Sequence, residues 1–237
     1  MHNRQPLFLM AGGRGSSHQH ILKSVYRAIG KAKPVIAYVG VANGDDRRFL
    51  AFIGTEIKSM GDCTLNPVWL ASKKADLTKA RELLTQADAI FMSGGDVEAG
   101  MQIVQDKGLK VFFQELADQG KLFFGASAGS IMLADQWVRW RDPDDDSTAS
   151  LFDCMGLAPV ICDTHAEDDD WVELKAAIQL KEDGALGYGI PSGACLIVNS
   201  SGGVEALGKP IVIYAQKSGM VVRQADLVPV RSDRSSG

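Results

Sequence analysis

Three short apolar runs each end in a glycine-bearing loop, and that recurring pattern leaves the chain few folds to choose from. Leu7-Phe8-Leu9-Met10 leads into Ala11-Gly12-Gly13, Pro34 to Val41 into Ala42-Asn43-Gly44, and Ala89-Ile90-Phe91-Met92 into Ser93-Gly94-Gly95-Asp96. A short unbroken apolar run suits a strand buried on both faces, as in a parallel sheet. Helical stripes lie between the runs. Leu50, Ile53, Ile57 and Met60 share one face before Gly61, and Leu77, Ala80, Leu84 and Ala87 share another. The spacing predicts a further helix over Val97 to Lys107, stopped by Gly108. Strands and helices in alternation predict an α/β three-layer sandwich with a mostly parallel central sheet. Four late segments, Ala194 to Val198, Val204 to Leu207, Ile211 to Ala215 and Met220 to Val222, read as antiparallel additions at the sheet edge.

A chain of 237 residues, 46% of them hydrophobic, can bury a core without staples, and its length fits one large domain. That domain is expected over residues 1–230, with a polar tail over 231–237 that frays. The net charge of -4 supplies no basic surface for nucleic acid. Cys63, Cys154, Cys162 and Cys195 show no paired spacing, so neither a metal nor a cofactor is expected. The start lacks a basic region followed by a long apolar stretch, and no apolar run is long enough for a bilayer. No membrane partner and a cytoplasmic location are therefore expected. The late apolar strands leave room for a homodimer.

Gly125-Ala126-Ser127-Ala128-Gly129 carries the chemistry. It follows the apolar Leu122-Phe123-Phe124 and precedes a run that can be helical, Ser130-Ile131-Met132-Leu133-Ala134. A serine between glycines at a strand-to-helix junction reads as a nucleophile elbow, tight enough that only small neighbours avoid the backbone. In a parallel sheet the elbow and the Gly94-Gly95-Asp96 loop would share the carboxyl-end rim, where ligands bind. The N–H groups of Ala128 and Gly95 are the expected oxyanion donors. Asp96 is expected to cap the next helix and to face the substrate.

A serine hydroxyl needs a base, and the base needs an orienting group. His2 lies at the start of the chain, and His18 and His20 follow the first glycine loop. His165, in Asp163-Thr164-His165 just past the run Pro159-Val160-Ile161-Cys162, is the expected base. Asp135, Asp142 and Asp163 are the candidate acids. Asp163 would point to the same side as His165 in an extended segment, and Asp142 sits in a loop that could fold back over the elbow.

Ser93-Gly94-Gly95-Asp96, then Gly125-Ala126-Ser127-Ala128-Gly129, then Gly156-Leu157-Ala158-Pro159 leading into Asp163-Thr164-His165, resemble the dipeptidase E and cyanophycinase family of serine peptidases. That resemblance implies a fold like class I glutamine amidotransferases, with serine where those enzymes carry cysteine. It implies Ser127 as nucleophile, His165 as base, Gly95 and Ala128 as oxyanion donors, and a small peptide as substrate. Asp142, before Pro143, best matches the acid of the dipeptidase branch. The cyanophycinase branch places a glutamate after a Gly-Ile-Asp motif, and this chain has Gly189-Ile190-Pro191-Ser192 there.

The dipeptidase branch uses an arginine downstream of the histidine to hold an N-terminal aspartate. Here Ala166-Glu167-Asp168-Asp169-Asp170-Trp171 follows instead. Glu167 and Asp168 would repel an acidic substrate group, so a pocket for a neutral or basic N-terminal residue is expected, with Trp171 as an apolar wall. The competing expectation is a solvated acidic loop whose Asp170 caps a helix over Trp171 to Leu180. A cyanophycinase-like or other amide hydrolase on this scaffold, and a lapsed enzyme that only binds, are the alternative functions.

Overall fold

The computed structural model describes residues 4–12, 16–59 and 61–229. His2, Met60 and the 231–237 tail fall outside that range. The elements are β1 (Leu7–Met10), α1 (Ser16–Ile29), β2 (Val35–Val39), α2 (Arg47–Lys58), β3 (Thr64–Val68), α3 (Leu77–Gln86), β4 (Ala89–Met92), α4 (Val97–Asp106), α5 (Lys110–Asp118), β5 (Leu122–Ala126) and α6 (Ala128–Leu133). They continue as β6 (Gln136–Trp140), β7 (Ala149–Asp153), β8 (Ile161–Thr164), α7 (Val172–Gln179), β9 (Leu186–Ile190), β10 (Cys195–Val198), β11 (Val204–Leu207), β12 (Val212–Lys217) and β13 (Met220–Arg223).

The central sheet has seven strands in the order β11-β10-β1-β5-β4-β2-β3. The five from β1 to β3 run parallel, β10 pairs antiparallel with β1, and β11 pairs antiparallel with β10. Strand period divides its side chains into two cores. Leu9, Ala37, Val39, Ile90, Met92 and Phe123 face the layer containing α3 to α6. Phe8, Met10, Ile36, Tyr38, Phe91 and Phe124 face α1 and α2, where they meet Ile21, Leu22, Val25 and Ile57. This is the expected three-layer α/β arrangement. Pro67, which lacks the N–H an inner strand would donate, sits in the edge strand β3.

The late strands divide between two sheets. The first two join the central sheet as β10 and β11, but β12 and β13 build a separate four-stranded sheet, β13-β12-β9-β8. The edge beside β1 is already occupied by β10, so β12 instead pairs antiparallel with β9, and β9 pairs parallel with β8. This second sheet lies against α6, where the buried Cys162 thiol on β8 meets the Ser130 carbonyl. It thereby holds the carboxyl end of β8 beside the elbow. The segment around Asp142 is the tip of the β6–β7 hairpin. Among the described residues, no helix is long and apolar enough to cross a membrane.

Candidate active site

The elbow stands where β5 meets α6. Ser127 has φ 54° and ψ -130°, a conformation that costs a non-glycine residue strain and persists only under constraint. The constraints are visible. The Ser127 N–H donates to the Met10 carbonyl at 2.9 Å, and the buried Ser130 hydroxyl donates to the same oxygen at 2.8 Å. Gly129 lets α6 approach β4 so closely that a Cβ there would lie 2.0 Å from the Met92 carbonyl oxygen. The glycine pair around the serine is thus a packing requirement, and it presses the elbow against the β4 loop.

That loop is equally constrained. Gly95 has φ +146°, and a Cβ on it would fall 2.0 Å from the Ala42 carbonyl oxygen. The Asn43 side chain donates to the Gly94 carbonyl at 2.9 Å and to the Ser93 hydroxyl at 3.0 Å, and the Tyr38 hydroxyl donates to Ser93 at 3.0 Å. Asn43, Tyr38 and Ser93 therefore fasten the loop from behind. Asn43 was legible only as part of a turn. The Gly95 and Ala128 N–H groups donate to no backbone acceptor among the described residues. Ala128, as first residue of α6, has no acceptor within its own helix.

The imidazole arrives from the second sheet. The His165 N–H donates to the Ile190 carbonyl at 2.9 Å, continuing the β8–β9 pairing by one residue. At φ 45° the backbone turns sharply there. The ring nitrogen Nε2 then lies 2.6 Å from Ser127 Oγ. A hydroxyl, a base and two backbone N–H groups without a backbone acceptor among the described residues come from neighbouring elements, β5, β8, α6 and the loop after β4.

The three candidate acids are not brought to this ring by any hydrogen bond. Asp142 accepts from the Asp144 N–H at 3.1 Å and is spent on shaping its own hairpin tip. Asp135 lies 3.9 Å from the Lys181 ammonium, at the far end of α6. Asp163 is buried, accepts from the Thr164 N–H at 2.7 Å, and leaves Oδ2 without a partner among the described residues. Burial, followed by the nearby Glu173 and Asp169 carboxylates, pushes Asp163 up to about 7 despite the Thr164 and Leu174 N–H groups.

Glu167 comes from the loop directly after His165 and is exposed. Its Oε1 accepts the Ser192 N–H at 2.8 Å, two residues beyond the carbonyl that anchors His165. Partial burial acts to raise its carboxyl, but the Ser192 N–H, its own N–H and the Ser192 hydroxyl outweigh this, and the charge of the His165 ring adds to the lowering. The remaining expectations fare unevenly. Asp168 stays exposed. Trp171 is only 4% exposed and packs on Gly189, so it is core and not a pocket wall. Asp170 does not cap α7. Its carboxylate pairs with Lys175 at 2.8 Å, and Asp169 accepts the Trp171 N–H at 3.0 Å. Asp96 caps α4 through the Ala99 N–H at 2.9 Å and lines a polar cleft beyond Gly95 with Trp137, Trp140 and Glu173. His20 is exposed on α1, while His18 is buried. No group of His, Cys, Asp or Glu among the described residues is arranged to hold a metal ion.

The fold recurs among solved structures. The crystal structure of a peptidase from an acI-B1 Actinobacterium superposes with a TM-score of 0.73 at 20% identity, covering 95% of each chain. A putative peptidase E protein from Listeria monocytogenes EGD-e gives a TM-score of 0.64 at 16% identity, over 86% of this chain and 98% of its own. Comparison with curated proteins finds no significant match. The profile of peptidase family S51 matches residues 7–205, from β1 into β11 and across every element that builds the rim. The chain therefore belongs to peptidase family S51.

Proposed function

We propose that the chain is a serine exopeptidase that hydrolyses dipeptides or short peptides through an acyl-enzyme. The observation that carries this reading is the 2.6 Å contact between Ser127 Oγ and His165 Nε2 at a strained elbow. Neutral His165 takes the hydroxyl proton as Ser127 Oγ attacks the peptide carbonyl. The carbonyl oxygen becomes an oxyanion and is held by the Gly95 and Ala128 N–H groups. His165 then gives its proton to the leaving amine, and the peptide C–N bond breaks. A water deprotonated by the same ring attacks the ester, and the proton returns to Ser127 Oγ as the acid product leaves.

The third role falls to Glu167. Its carboxylate shares the 190–192 segment with the His165 backbone, so it supplies a fixed negative charge beside the imidazolium that forms in each step. A fluorophosphonate probe tests the reading. Wild-type protein should label covalently, Ser127→Ala should not label, and Ser130→Ala should. Folded wild-type protein that resists labelling defeats the proposal.

A further inference from the structure

One cleft on the rim has the nucleophile in its wall. It is lined by Ser127, Gly94 and Ala126 at one end and by Leu22, Phe49, Phe52, Ile53 and Ile57 from α1 and α2 at the other. The polar cleft beyond Gly95 does not reach Ser127. Gly94 keeps the mouth open, since a Cβ there would sit 3.0 Å from the Ser127 Cβ. The cavity holds about 240 Å³. Pockets that take a whole small-molecule ligand run to roughly 300–1,000 Å³, so this one suits a single side chain.

Among the described residues, the lining is mostly apolar. Phe49 and Phe52, 37% and 43% exposed, give the cleft two aromatic walls from one helix. His18 adds a wall that burial keeps toward the neutral form, even against the opposing pull of Glu56. Glu56 is the one carboxylate among the described lining residues. An acidic substrate side chain would lose its hydration here and meet Glu56 with like charge. A lysine would have to desolvate its ammonium among aromatic and branched side chains for one partly exposed carboxylate.

Building on the serine-peptidase reading, we infer that this cleft receives the side chain of the residue whose carbonyl Ser127 attacks, and that it selects a large apolar or aromatic residue. The preference is set by α1 and α2 on one side of the elbow. It does not depend on the acidic segment after His165, whose Glu167 is committed to Ser192 and whose Trp171 is core.

The test is a panel of aminoacyl coumarin amides carrying phenylalanyl, leucyl, alanyl, aspartyl or lysyl groups, read as kcat/KM. Phenylalanyl and leucyl substrates should exceed alanyl by about tenfold or more, and aspartyl should be the poorest. Ile53→Trp fills the cleft and should collapse the ratio of phenylalanyl to alanyl turnover. Phe52→Ala, at a more exposed position, should lower the same ratio should the tryptophan variant fail to fold. An aspartyl or lysyl preference, or a ratio that neither variant moves, overturns the assignment. Fluorophosphonate labelling of Ser127 runs alongside. Labelling with the wrong preference refutes the pocket alone, whereas absent labelling in folded protein refutes the peptidase chemistry beneath it.

Discussion

Asp163 offers a sharp test because its burial makes a pH-dependent claim on stability. The residue is only 4% exposed, with Glu173 and Asp169 nearby and Oδ2 unpaired among the described residues. Its folded-state value of about 7 stands against an ordinary 3.8. A group raised in the folded state binds more protons folded than unfolded over that interval, so stability falls as pH climbs from 4 toward 7. Three units at about 1.4 kcal/mol each set an upper bound of about 4 kcal/mol on the loss. Asp163→Asn holds the group neutral at every pH. Urea unfolding of both proteins at pH 4, 6 and 8 gives the comparison, with midpoints interpreted at constant m. Relative to wild type, the variant should gain stability as pH rises, and the gain should flatten above pH 7. Any cost of packing the carboxamide is independent of pH and drops out of the trend. A constant difference across the three conditions refutes the reasoning. The same variant should retain fluorophosphonate labelling, since Asp163 makes no hydrogen bond with the imidazole.

The rim makes two further claims. Glu167→Gln keeps an acceptor for the Ser192 N–H but removes the charge beside His165, and should lower kcat by roughly 10- to 100-fold; Asp142→Asn, at the hairpin tip, should stay near wild type, and the reverse order in steady-state assays would restore Asp142 as the orienting acid. Gly95→Ala forces a methyl into the Ala42 carbonyl, so the loop must move; kcat should fall on the order of 100- to 1,000-fold, as for a lost oxyanion donor, and a wild-type rate would show that this N–H does not serve the reaction.

Much of this architecture was legible because local rules and tertiary demands agree. The runs before Gly12, Gly44 and Gly94 are apolar on both faces, and β1, β2 and β4 are buried on both faces. The elbow was legible because Gly125 and Gly129 answer a steric requirement visible in the spacing alone. The destination of the late strands was not. Val212 to Lys217 has the pattern of an edge strand, and nothing local states which of two edges it will join. Trp171 failed for a similar reason. Its role was decided by Gly189, whose missing side chain makes the cavity that the indole fills.

The hairpin tip shows how local bonds occupy carboxylates. Asp142 belongs to an acidic run with Asp144, Asp145 and Asp146, and two of the four spend an oxygen on a nearby N–H group. Asp142 accepts from Asp144, and Asp145 accepts from Ser147. Local side-chain bonds of this kind compete with any long-range role. Glu167 has a longer side chain and a neighbour, Ser192, whose N–H projects from the loop after β9. In the sequence, Gly189-Ile190-Pro191-Ser192 reads as a place where a carboxylate is missing. In the structure the backbone at that place binds a carboxylate supplied by the loop after His165. That pairing has no local signature, because the anchor and the charge come from segments 25 residues apart.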